Sequence, residues 1–131
     1  MIILDENILE GQRLLLEAWN ISVRQVGLDF GRKGLKDEQI VVLLRRLRHP
    51  TFVSRDLGFY KPVLRSQGYA IVVAAVGQYE MAWFIRRFLR HPLFDTQAKR
   101  VGKVVRLAPA GISFWQVRHQ RQTRVDWESH A

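Results

Sequence analysis

An α/β fold is what this sequence predicts: three layers, α/β/α, with a mainly parallel central sheet and a β-hairpin added at the C-terminus. Three observations carry it. Short apolar runs alternate with segments of helical periodicity at the spacing of βαβ units, which demand a parallel sheet with right-handed crossovers. The run Tyr69 to Val76 is apolar throughout, as a central parallel strand covered on both faces must be. Beyond Asp95 the alternation stops, and two apolar segments flank Ala108-Pro109-Ala110-Gly111, the pattern of a hairpin. The 131 residues fit one domain, with residues 1–95 as its α/β part and 96–131 as a basic hairpin extension.

Each element has its own justification. Ile2-Ile3-Leu4, ended by Asp5 and Glu6, reads as a buried first strand. Asn7 with Glu10 three residues on has the form of a capping box. The helix that follows carries Ile8, Leu9, Leu15, Leu16 and Trp19 near one face. Ile21, Val23 and Val26 mark a second strand, followed by a loop from Gly27 to Gly34. The spacing of Ile40, Val41, Leu43, Leu44 and Leu47 predicts a helix over Asp37 to His49, stopped by Pro50. Thr51 to Ser54 is a third strand, Asp56 to Phe59 a turn, and Tyr60 to Ser66 a short helix interrupted at Pro62. The strand Tyr69 to Val76 leads to a helix over Glu80 to His91, again closed by His-Pro. Val104 to Leu107 and Ile112 to Arg118 form the hairpin, placed at the sheet edge.

Composition narrows the chemistry. The chain has 21 Lys plus Arg, 12 Asp plus Glu, four His and no Cys, for a net charge of +9. A disulfide scaffold, a thiolate zinc site and a cysteine nucleophile are therefore excluded. His49, His91 and His130 show no zinc spacing, and the chain has no Walker loop, nucleophile elbow or dinucleotide fingerprint. No apolar stretch has the length of a membrane span, and the N-terminus lacks a basic signal region. A soluble, cytoplasmic domain is the expectation. The charge is uneven: residues 1–85 are nearly balanced at +2, while residues 86–131 carry +7. A basic C-terminal third of this kind points to a polyanionic partner, nucleic acid above all.

The acids sit where an open parallel sheet binds ligands, beyond the carboxyl ends of the strands. Asp5 and Glu6 end the first strand, Asp56 ends the third, and Asp37 with Glu38 opens the helix leading to it. If the first and third strands are neighbours, Asp5, Asp37 and Asp56 converge. Carboxylates sharing a pocket stay together around a cation or around a proton, and oxygen donors without His or Cys favour Mg²⁺ or Mn²⁺ over zinc. Such an ion supplies water activation and charge neutralisation for phosphodiester hydrolysis. Each acid also has a structural reading: Asp37 as a helix cap, Asp56 as an Asx-turn residue, and Glu6 as a solvated side chain.

The segments Ile3-Leu4-Asp5-Glu6-Asn7, Asp37-Glu38-Gln39-Ile40 and Val53-Ser54-Arg55-Asp56-Leu57-Gly58-Phe59 together resemble the PIN domain (PilT N-terminus), in particular its short bacterial PIN-like members. The resemblance covers residues 1–60. It implies a metal-dependent ribonuclease, of the kind found as toxins of VapBC-type toxin-antitoxin pairs. Asp5, Asp37 and Asp56 would then be the catalytic Mg²⁺ or Mn²⁺ ligands, with Glu6 or Glu38 as further candidates and Asn7 and Ser54 in support. Its implied partners are RNA and an antitoxin protein.

Two alternatives stay open. Gly58 stands where the family often has a second acid, so a module that binds RNA or a protein partner without cleavage is the main one. Arg55, Arg118, Arg121 and Arg124 are the candidate RNA-binding residues, with Trp115 and Trp127 as stacking platforms or, on the structural reading, as core or homodimer packing. A receiver-like phosphoacceptor domain ranks last, because Val76-Gly77-Gln78 supplies neither its lysine nor its hydroxyl.

Overall fold

The computed structural model describes residues 1–128; His130, noted above, lies outside the described residues. Five parallel strands form the body of the sheet: β1 (Ile2–Leu4), β2 (Val23–Gln25), β3 (Thr51–Ser54), β4 (Ala70–Ala74) and β5 (Lys103–Ala108). β6 (Gly111–Gln116) turns back antiparallel to β5, and β7 (Thr123–Val125) runs antiparallel to β6. The seven strands make one mixed sheet in the order β2-β1-β3-β4-β5-β6-β7. The chain leaves β1 for β2 on one side and crosses back to β3 on the other, so a topological switch lies between β1 and β3.

Strand residues alternate between two faces, and the apolar sequence fills both. Leu4, Val53, Val72, Val105 and Leu107 cluster with Leu16 of α1 (Glu10–Ala18) and with Phe84, Ile85 and Phe88 of α3 (Met81–Leu89). Ile3, Phe52, Ile71, Val73 and Val104 cluster on the other face with Ile40, Val41 and Leu44 of α2 (Asp37–Arg46). All five residues of β4 are buried, which accounts for its unbroken apolar run. No helix among the described residues is long and apolar enough to cross a membrane.

Local chemistry departs from the sequence expectation in several places. Asn7 and Glu10 form no capping box: α1 begins at Glu10 behind Leu9, which offers no cap, and Asn7 lies in the turn after β1. Glu10 pairs with Arg13 instead. α2 stops at Arg46 rather than His49, because Leu47 is extended and His49 has a positive φ of 50°. The segment 60–66 holds a single 3₁₀ turn, Pro62–Leu64. Two elements were not expected: the four-residue helix α4 (Gln97–Arg100) and β7. Arg100 of α4 is buried and bonds Thr51 Oγ1 at 2.9 Å and the Phe94 carbonyl at 2.9 Å, contacts that no local pattern announces.

Candidate functional site

β1 and β3 pair in register, Leu4 opposite Val53, and the Asp5 N–H extends that ladder to the Val53 carbonyl at 2.8 Å. Asp5 therefore emerges beside Ser54 at the carboxyl edge. The buried Ser54 hydroxyl donates to Asp5 Oδ2 at 2.7 Å and accepts the Asp56 N–H at 3.0 Å, tying the two acids' segments together. The Glu6 N–H donates to Asp5 Oδ1 at 2.8 Å. Asp56 Oδ1 accepts the Gly58 N–H at 2.8 Å, an Asx turn that opens the 3₁₀ turn Leu57–Phe59. Phe59 anchors this turn, buried edge-on against Phe52 of β3 with centroids 5.2 Å apart.

Asp37 reaches the site from α2. It occupies the first helical position rather than the cap, which is Lys36. A Cβ placed on Gly58 would lie 3.0 Å from Asp56 Oδ1 and 3.7 Å from Asp37 Oδ2, so one point at the edge approaches both carboxylates and glycine leaves it open. Glu38 lies beside Asp37 and its charge is felt there. Glu6 is held away: both its oxygens accept the Gly34 N–H, at 2.9 and 3.1 Å. The reading of Glu6 as a side chain turned from Asp5 is refined: it takes a backbone partner, Gly34, through exposed bonds. Asn7 is exposed in the turn that follows.

The acids feel one another. Burial pushes the Asp5 carboxyl above its ordinary value; the Ser54 and Glu6 hydrogen bonds oppose the rise, and the Glu6 and Asp56 charges add to it. Asp37 is largely exposed yet also raised, by partial desolvation first and then by Asp56, Glu38 and Asp5, with Lys61 opposing. The three ion pairs among the described residues involve none of these acids. Three oxygen donors converging without a cationic partner have the chemistry a hard divalent ion takes. As the side chains stand, however, no three of His, Cys, Asp or Glu among the described residues form a group able to hold an ion. Asp37 and Asp56 are both exposed, while Asp5 is partly buried.

Gln25 is a site residue that the sequence analysis missed. It is buried at the end of β2, and its amide donates to the carbonyls of Asp5 at 3.0 Å and Ile8 at 2.9 Å, clamping the turn that carries Asp5. Its one signal was a polar residue at an inward position, two places after Val23. The basic candidates scatter. Arg55 is tied by Nε to the Val76 carbonyl at 3.1 Å beside the acids. Arg118 and Arg121 lie exposed in the β6–β7 connection, and Arg124 lies on β7. Trp127 is no stacking platform: it is buried, donates to the Ala108 carbonyl at 2.6 Å and lies beneath the Arg87 guanidinium at 4.6 Å. Compared with known proteins, the chain matches no protein-family model, no curated protein and no solved structure.

Proposed function

We propose that the chain is a metal-dependent, PIN-like ribonuclease of three-layer α/β/α build that acts in the cytoplasm and is held in check by an antitoxin protein. One observation carries this: Asp5, Asp37 and Asp56 come from three separate segments to one sheet edge at the topological switch, the Asp56 charge adds to the raised proton affinity of both Asp5 and Asp37, and the three pair with no cation among the described residues. Asp5, Asp37 and Asp56 would hold Mg²⁺ or Mn²⁺, with Glu38 adjacent. The ion, when bound, supplies water activation and neutralises charge at the phosphodiester. Ser54 fixes the Asp5 carboxylate, and the Asx turn fixes Asp56. Basic side chains near the edge, Arg55 among them, neutralise substrate phosphates.

A second reading is a module that binds RNA without cutting it, and it is favoured by the acids' not closing into an ion-holding group as they stand. Incubation of purified protein with labelled RNA and Mn²⁺ separates the two. Cleavage that disappears in EDTA and in Asp56→Asn supports the nuclease; binding with no cleavage under Mg²⁺ or Mn²⁺ supports the module.

A further inference from the structure

On the sheet face that carries α2, a groove of about 630 Å³ opens over β5, β6 and β7. Strand registers place Ser54, Val73, Arg106, Ser113 and Arg124 in one row across five strands. Their alternation with Val53, Val72, Val105 and Phe114, which belong to the opposite cluster, puts all five on the α2 face. With strands spaced about 4.8 Å apart, Arg106 stands about 10 Å and Arg124 about 19 Å along the row from Ser54. That serine holds Asp5 and Asp56, so the groove and the acid edge share one line.

The groove brings two arginines together with a serine, a glutamine and a tyrosine hydroxyl. Tyr60, four residues after Asp56, has its hydroxyl 3.0 Å from Ser113 Oγ and 2.9 Å from Gln122 Oε1, which fixes the wall nearest the acids. The charges of both Arg106 and Arg124 are felt at that phenol. Neither arginine makes an ion pair among the described residues, although Asp126 also lines the groove. Two unneutralised guanidiniums beside hydroxyl and amide groups, in an open concavity, match the repeating charge of a nucleic-acid backbone.

We propose that this groove is a phosphate tract for single-stranded RNA, with Arg106 and Arg124 each neutralising one phosphodiester while Ser113 and Gln122 hydrogen-bond the backbone, leading the strand to the acid edge. The proposal rests on RNA being the ligand in the reading above, but not on cleavage.

The test is fluorescence anisotropy of a short single-stranded RNA in EDTA over a series of salt concentrations, with wild type, Arg106→Gln/Arg124→Gln, and Arg124→Gln alone. A control pair, Arg46→Gln/Arg48→Gln, removes the same charge from the end of α2 and the residues after it. The groove pair is expected to weaken binding at least tenfold and to flatten the dependence of log K on log salt by about 1.4, near 0.7 for each phosphate lost. Arg124→Gln, on an exposed strand, is expected to give about half of both effects, which keeps the test decisive if the pair fails to fold. Unchanged affinity and slope in both groove variants overturns the tract, as does an equal loss in the control pair. Poly-glutamate bound with the same arginine dependence overturns it in favour of an acidic protein segment. Cleavage is read separately on wild type with Mn²⁺: arginine-dependent binding without cleavage removes the nuclease and leaves the tract, while cleavage without arginine dependence does the reverse.

Discussion

Replacing Ser54 with alanine strikes the link between the acids. The lost hydroxyl bridges Asp5 Oδ2 at 2.7 Å and the Asp56 N–H at 3.0 Å, and Ser54 is fully buried. Leaving the Asp56 N–H without its partner costs about 1–3 kcal/mol, and a hydrogen bond to a charged acceptor contributes about 1.5–3 kcal/mol. The two overlap in one side chain, so the expected loss is about 3 kcal/mol. For a chain of this length that lowers Tm by about 10 °C. The loss also depends on pH. The Ser54 bond holds the Asp5 pKa below where burial alone would put it, so the variant's native state takes up its proton at higher pH than wild type. The difference between the two is therefore largest at neutral pH and shrinks as pH falls through the Asp5 titration, leaving the Asp56 N–H part. Calorimetric melting of both proteins in metal-free buffer at several pH values measures it. A loss below about 1 kcal/mol, or one that does not change with pH, refutes the bridge.

Other perturbations test the remaining links. Because the Asp5 and Asp37 pKa values are both raised in the native state, wild-type stability without metal is expected to fall as pH rises from their ordinary 3.8 through the raised values; Asp5→Asn should shrink that decline to the part that Asp37 contributes and melt higher at pH 7. Mn²⁺ at about 100 times its Kd should stabilise wild type by about 2.7 kcal/mol and leave the melting of Asp56→Asn where it was. Binding of Mn²⁺, followed by calorimetric titration, should weaken as pH falls toward the raised Asp5 and Asp37 values, since protons compete for the same oxygens. Gly58→Ala puts a methyl 3.0 Å from Asp56 Oδ1; that oxygen must shift by a few tenths of an ångström, and Mn²⁺ affinity should drop more than stability does. Phe59→Ala empties the buried pocket against Phe52, with an expected cost of about 3–5 kcal/mol by denaturant unfolding.

Much of the frame was legible because it is local. The first four strands, the three main helices and the β5–β6 turn announce themselves through apolar periodicity and through Pro and Gly punctuation; β5 reads as a hairpin strand at the sheet edge, whereas it pairs parallel with β4 and extends the parallel body past residue 95. Ser54 and the three aspartates stood out as polar residues ending apolar strands or opening a helix. The absence of a capping box at Asn7 was not legible: the pattern fits, yet the turn after β1 is set by the Gln25 clamp on Asp5 and Ile8. β7 has only three residues and gains its strand geometry from pairing with β6, so its own sequence carries no signal. Arg106 read as one basic residue in an apolar run, since its neighbours in the row lie 7 to 52 residues away in the chain.

By itself, then, the sequence determined the class of fold, the split between a balanced N-terminal part and a basic C-terminal third, and the acids that end the strands. Strand order was a tertiary matter, because hydrogen bonding between β1 and β3 depends on the whole sheet closing over two cores. That order brings Asp5, Asp37 and Asp56 to one edge, draws Glu6 aside to Gly34, and sets Arg106 and Arg124 in line with Ser54. Spacing along a chain records how side chains repeat within an element; only packing decides which elements become neighbours.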